Sequence, residues 1–313
     1  MRPLLACRVS RVIQLGLLIL SVGCGGDSNN PNPTNQGKTI YAVDLSNNFE
    51  LFHSAAPGTV DRKVAITGLP AENRIVGIDF RPADGKLYGV GNDSRVYVLD
   101  TLTAVASPIG STAFTPALAG EHFGMALDPT TDQIRIQSAE TGQNLRLDPV
   151  TGQAVADDAV LAYVTGDPNE TEGPSIAATA VSTSSGASTT YGIDWLLDAL
   201  VMMPDPTDGQ VTTIGATGVS TSPCAALDMG DDGVLYATMT IDQLNQLFTM
   251  NLSTGAATGL GEINVVASIQ SIAVAPGGSA TDREMSVVRS PAAIHHARGP
   301  VGGGSPKSCR TDR

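Results

Sequence analysis

The chain of 313 residues is 42% hydrophobic and 16% charged, with 34 Gly and 19 Pro, a composition that suits a turn-rich β protein with a sizeable core. Its formal net charge is −13, and between Gly25 and Gly278 nine Lys and Arg stand against 28 Asp and Glu, a balance of −19 that repels nucleic acid and anionic lipid headgroups. Beyond the N-terminus no apolar run reaches the roughly 18 residues that cross a bilayer as a helix.

Residues 1–23 read as a signal peptide. Arg2, Arg8 and Arg11 precede the apolar run "VIQLGLLILSV", and small residues follow in "SVGCGG". Cys24 stands directly after Gly23, where a bacterial lipoprotein is cleaved and lipidated. The stretch resembles a lipobox, with Ser21 where Leu, Val or Ile is usual. Cys7 has no such run before it, and an ordinary secretory signal is the alternative. Residues 24–38 then form a lipidated cysteine and a tether, too polar and too rich in Asn and Pro to fold. The expected address is the cell envelope, on the periplasmic side or at the outer membrane, with the lipid as the sole membrane attachment; the alternative is secretion.

Residues 39–278 read as one all-β domain built on a repeat. "VGIDFRPADGKLYGVGNDSRVYVLDTLTAVASPIG" begins at Val76, and units of the same grammar begin at Phe123, Ile176 and Cys224, spaced by 47, 53 and 48 residues. Each opens with an apolar strand of small residues and a turn such as Pro82-Ala83-Asp84-Gly85 or Gly230-Asp231-Asp232-Gly233. A second strand carries Tyr88, Ile134, Tyr191 or Tyr236. A third and a fourth follow, parted by turns such as "PVTG" and "LSTG". Four period-two strands in 45–50 residues, punctuated by Gly, Asp and Pro, predict a β-propeller blade.

Two fragments complete the ring. "SIQSIAVAP" (Ser268–Pro276) has the character of a first strand with nothing after it, while Thr39–Gly68 holds strands two to four without a first. Pairing them predicts a fifth blade and a ring closed by the N- and C-terminal strands, which removes the exposed sheet edges of an open array. The expected fold is a β-propeller of five four-stranded blades; a β-solenoid or two sandwiches are the alternatives. Residues 279–313, with six basic and three acidic residues, read as a disordered tail. Cys309 and the pair His295–His296 lie in that tail. Cys224 reads as a small buried apolar residue, so no disulfide framework is expected.

The motifs "IVGIDFRP", "KLYGVG", "FGMALDPTTDQIRIQS", "TGQNLRLDPVTG" and "LYATM" together resemble the bacterial DUF4394 family over Tyr41–Pro276. The resemblance implies a secreted or lipid-anchored propeller and brings no catalytic residue or cofactor with it. One departure is visible, "MALDP" where a pattern closer to "FDFNP" is expected.

Propeller geometry gathers the inter-blade loops and the turns between second and third strands on one face. That rim brings together Glu72, Asn73, Arg74, Glu121, His122, Asn169, Glu170 and Glu172, with Glu140 in one of the turns. Glu72, Arg74, Glu121 and His122 are the expected ligand-binding residues. Their carboxylates suit Ca²⁺, Glu121–His122 suits proton transfer, and Arg74 suits an anionic group; solvated acidic loops are the plain alternative. Arg135 and Arg146, in strands, call for carboxylate partners among Asp128, Asp132 and Asp148. The expected function is a lipid-anchored, monomeric, non-catalytic module that binds a protein, glycan or small molecule. The alternative is a propeller hydrolase or lactonase using a metal at the channel mouth. Small inner-strand residues (Gly77, Ala126, Ala178, Ala226) predict a plugged or narrow channel.

Overall fold

The computed structural model describes residues 37–277 apart from residue 185. The expected signal peptide, Cys24 with most of its tether, and the tail beyond residue 277 therefore lie outside the described residues.

Twenty-one strands follow in chain order, and a 3₁₀ turn at Pro206–Asp208 is the one helical element among the described residues. β1 (Thr39–Asp44), β2 (Asn48–His53) and β3 (Ala56–Ala65) form an antiparallel meander. Blade 1 is β4 (Ile75–Phe80), β5 (Leu87–Gly91), β6 (Arg95–Leu99) and β7 (Ala106–Pro108). Blade 2 is β8 (Phe123–Asp128), β9 (Gln133–Ser138), β10 (Asn144–Leu147) and β11 (Ala154–Asp157). Blade 3 opens with a short β12 (Ala162–Tyr163), then β13 (Ile176–Ser182), β14 (Thr189–Asp194), β15 (Ala199–Met203) and β16 (Gln210–Ala216). Blade 4 is β17 (Ala225–Met229), β18 (Leu235–Ile241), β19 (Leu244–Met250) and β20 (Ala257–Ile263). Finally β21 (Ile269–Val274) pairs antiparallel with β1, from Ile40↔Val274 to Asp44↔Ile269, and completes blade 5 in the order β21-β1-β2-β3.

The inner strands β4, β8, β13, β17 and β21 touch in succession and close on themselves, so the fold is the expected five-bladed propeller. One blade departs from four strands. β12 runs parallel to β16 at the outer edge of blade 3, anchored where the buried Tyr163 hydroxyl donates to Asp194 Oδ2 at 2.7 Å.

Burial explains the two kinds of strand in the sequence. β8 and β21 are buried at every position, because blades cover both faces. Outer strands such as β3 alternate half-buried and exposed, the mark of a sheet wetted on one side. Close packing of the inner ring sets residue size: a Cβ on Gly77 would fall 2.5 Å from Met125 Cβ.

Strand register also exposes the repeat. Tyr41, Tyr88, Tyr191 and Tyr236 face Ala273, Asp79, Ala180 and Asp228 across the first two strands of their blades, and Arg135 faces Ala126 in blade 2. Arg135, rather than the expected Ile134, therefore takes the tyrosine position. Its buried guanidinium meets Asp128 Oδ2 at 3.0 Å, one of its expected partners. Arg146 instead pairs with Asp158 at 2.7 Å, outside the expected set, because Asp158 directly follows the neighbouring strand β11. Arg81 of blade 1 reaches Asp132 of blade 2, joining the two blades.

Buried polar groups tie the blades together at the channel. Asp79 Oδ2 accepts from Leu127 N in blade 2 at 2.6 Å, and Asp228 Oδ2 accepts from Val274 N in blade 5 at 2.6 Å. Ser271 Oγ of blade 5 accepts from Ile78 N in blade 1 at 2.9 Å. In low dielectric each such bond satisfies a backbone group that would otherwise be costly to leave unpaired.

Ending the chain at Ala267 removes β21 with Ile269, Ile272 and Val274, all at most 5% exposed. Each fully buried side chain of this size is worth about 1.5–3 kcal/mol, so that truncation is expected to aggregate, while removing residues 281–313 leaves melting unchanged. Wild-type-like melting curves for both would contradict ring closure by β21.

Candidate functional site

The two mouths of the channel carry different chemistry. At the mouth where the inner strands begin, Arg74 and Glu121 belong to the inter-blade loops that precede β4 and β8. Arg74 Nη2 contacts Glu121 Oε2 at 3.0 Å and also donates to the Glu121 carbonyl at 3.3 Å. Arg74 Nε is buried and has no hydrogen-bond partner. His122 Nδ1 lies 2.7 Å from Glu140 Oε1, and Glu140 Oε2 accepts from the backbone N–H groups of Glu121 and His122 at 3.1 and 3.3 Å. The approach depends on Gly120, whose φ is +131°; a Cβ there would come within 2.5 Å of both Glu140 Oε2 and Ser138 Oγ.

These contacts set the protonation preferences. The His122 imidazole is held above its ordinary range, first by hydrogen bonding with the Cys224 thiol and then by Glu140, against the opposing effect of burial. Burial works to raise the Glu140 carboxyl, but the His122 ring and the two backbone N–H groups outweigh it and hold the group low.

Three of the four expected residues, Arg74, Glu121 and His122, therefore meet. Glu72 does not join them: it sits exposed at φ +67° with no hydrogen-bond or ion-pair partner among the described residues. Asn169 points away, donating to Thr213 Oγ1 of the outer strand β16, and Glu170 caps its own loop through Gly166 N. Glu140 stands in the β9–β10 turn that the sequence places on this face. The influence of Cys224 on His122 is absent from the sequence expectation, although a signal for it exists. Both residues lie four positions ahead of the register-matched pair Ala126 and Asp228. Among the described residues no group of three or more His, Cys, Asp and Glu side chains is placed to hold a metal ion.

At the opposite mouth, where the inner strands end, a cavity of about 500 Å³ opens between the blades. Phe80, Leu127, Val274 and Pro276 supply apolar wall, and Asp79 and Asp228 lie within it. Burial pushes the Asp79 carboxyl up to about 7, against backbone N–H donation from Leu127 and Phe80. Burial raises Asp228 well above the carboxylate range, and the charge of Asp79 adds to the effect. Asp79 keeps some surface towards the cavity, whereas Asp228 is only 7% exposed. These two acids went unselected in the sequence, where "GID" and "ALD" are their trace.

The model of the family described as "Domain of unknown function (DUF4394)" matches residues 48–273, and the chain belongs to that family. No curated protein matches the chain. Among solved structures, a nidogen/laminin complex is 12% identical at a TM-score of 0.47, covering 76% of this chain and 98% of that one. A protein of unknown function from Bacteroides thetaiotaomicron is 15% identical at 0.45, covering 80% and 70%. Virginiamycin B lyase from Staphylococcus aureus, in an inactive form with quinupristin, is 14% identical at 0.42, covering 77% and 76%. Likenesses this distant carry no argument about ligand or chemistry.

The carboxyl pair makes stability depend on pH. A carboxyl raised in the folded state contributes its stability in full below the ordinary carboxylate range and loses it as pH rises through the folded value, here about 7 for Asp79. Glu50, raised to about 7 first by burial and despite Lys63, acts with the same sign. Melting temperature is therefore expected to fall between about pH 5 and pH 8. Asp79→Asn keeps an acceptor for Leu127 N but cannot ionise, and should flatten the fall, leaving the Glu50 share. An unchanged slope in calorimetry of the variant would show that the pair is not protonated in the folded state.

Proposed function

We propose that this DUF4394 protein is an envelope-anchored binding module that holds a small ligand in the cavity at the C-terminal ends of its inner strands. The cavity carries the reading. It has the volume and apolar walls of a small-molecule site, with few polar groups to orient a guest. The ionisable groups on its wall are mainly acidic and the folded region is strongly negative, so the ligand favoured is one that presents an amine or several hydroxyl donors. A cation entering beside Asp79 and Asp228 would draw both towards the charged form, coupling binding to proton release. The anchor in this reading is Cys24 with its polar tether, which keeps the acidic domain at the membrane without contact between protein surface and headgroups.

Two measurements test the reading. In thermal shift on the full chain carrying Cys24→Ser, putrescine or ethanolamine should raise the melting temperature. A ligand at a hundred times its dissociation constant adds about 2.7 kcal/mol, or roughly 5–10 °C for a domain of this size. Thr183→Trp, at an exposed position on the cavity wall, should abolish the rise. Ca²⁺ is the third probe: a rise with Ca²⁺ alone would favour the metal-dependent hydrolase, and no rise with any probe would remove the cavity reading. Separately, the wild type should partition into detergent and Cys24→Ser should not; equal partitioning would overturn the lipid anchor.

A further inference from the structure

We propose that Lys63 and Asp44 condense into an intramolecular side-chain amide, with Glu50 relaying the protons, so that blade 5 carries a covalent staple. The inference does not depend on what the cavity binds.

An exception to the repeat points to it. Levelled on the tyrosine position of the second strands, the third strands place Tyr97, Leu145, Val201, Phe248 and Glu50 opposite Gly89, Ile136, Gly192, Ala237 and Ala42. All five third-strand residues are at most 4% exposed. Four blades therefore fill this core position with an apolar or aromatic side chain, and blade 5 fills it with a carboxyl. The matching fourth-strand residues are Pro108, Asp157, Thr213, Gly259 and Lys63, so blade 5 alone sets an amine beside that position.

Three reactive groups meet there. Lys63 Nζ lies 2.5 Å from Glu50 Oε1 and 2.9 Å from Asp44 Oδ2, and both carboxyl side chains are 0% exposed. Asp44 Oδ1 accepts from Ser46 N, Asn48 N and Asn48 Nδ2 at 2.9, 2.8 and 3.1 Å. Donors gathered on one carboxyl oxygen stabilise the negative charge that builds there when a nucleophile adds to the carbon. That leaves Oδ2, on the Lys63 side, as the oxygen that departs. Glu50 Oε2 is buried with no hydrogen-bond partner among the described residues, a second oxygen free to hold a proton.

Protonation assigns the roles. Burial pushes Glu50 up to about 7 despite Lys63. Burial also works to raise Asp44, but Asn48 and Lys63 outweigh it and hold the group low. For the Lys63 ammonium burial works downward, and Glu50 and Asp44 outweigh it. The starting state is thus an ammonium–carboxylate pair beside an acid able to give and take a proton near neutrality.

The step needs no co-reactant. Lys63 passes one proton to Asp44 Oδ2, and its freed lone pair adds to Asp44 Cγ. Glu50 moves a second proton from nitrogen to Oδ2, the Cγ–Oδ2 bond breaks, and water leaves. The third ammonium proton stays on the amide nitrogen. Condensation removes a partly desolvated ion pair, whose burial is costly. Lys63 is 40% exposed, which gives the departing water a way out. The product ties β1, the strand that receives β21, to β3.

The test is peptide mapping of the full chain carrying Cys24→Ser, denatured and digested with trypsin. Trypsin does not cut after an acylated lysine, so residues 39–62 should emerge joined to residues 63–74, at the sum of their masses less one water. Lys63→Arg keeps the charge and should give separate peptides. Glu50→Gln, with the fold intact by circular dichroism, should lower the linked fraction of freshly made protein at least about tenfold, since a positioned acid–base group contributes about a hundredfold or more in rate. Separate peptides 39–62 and 64–74 from the parent chain would overturn the proposal. Fragmentation that places the bond on Glu50 would overturn it too, as would a Glu50→Gln variant that links to the same extent.

Discussion

The inner strands lose solvent on both faces at once, and most of the molecule follows from that loss. A strand packed between blades must use small or apolar residues, and any polar group it carries must find a partner in a neighbouring blade. Asp79, Asp228 and Ser271 meet the requirement by accepting backbone N–H groups from the next blade round the ring. β21 is bonded into this scheme on both sides: Val274 N feeds Asp228 of blade 4, and Ser271 Oγ serves Ile78 of blade 1. It also holds β1 by sheet pairing. The last strand is therefore more than an edge cover, because without it buried polar groups on two other blades lose their partners.

The sequence discloses this architecture well because its punctuation is regular. Asp-Gly and Thr-Gly turns recur at fixed offsets, period-two strands lie between them, and the unmatched pieces at the two ends complement each other. Register is what it conceals. Strand pairing sets Ile75, Phe123, Ile176 and Ala225 level, so units begun at Val76 and at Cys224 are each displaced by one position, in opposite senses. β-Bulges between Ile75 and Gly77 and between Ile176 and Ala178 obscure the count. That slip hides the equivalence of His122 with Cys224, and a slip of the same size puts Ile134 where Arg135 belongs. The contact between Arg146 and Asp158 and the added strand β12 depend on how blade edges meet, which local pattern does not encode.

Blade 2 is where the repeat is altered most, and the changes fit together. Arg135 replaces the tyrosine of the second strand, and its charge is answered by Asp128. Asp128 is fully buried; burial works to raise it, but the Ser188 hydroxyl, Thr130 N and Arg135 together hold it low. Ser188 belongs to blade 3, so this ion pair also supplies the link between blades 2 and 3. The position that carries a carboxylate in blades 1 and 4 is Ala126 in blade 2. An aspartate there would place a third buried carboxyl close to the inner end of the cavity, where the charge of Asp79 already raises Asp228. Alanine avoids that repulsion, and the Arg135–Asp128–Ser188 chain restores the lost inter-blade bond at a point where a cation balances the charge. The departure from "FDFNP" in this stretch is thus a relocation of the inter-blade carboxylate from channel wall to strand end, and it leaves the cavity with two acids, Asp79 and Asp228, on its wall.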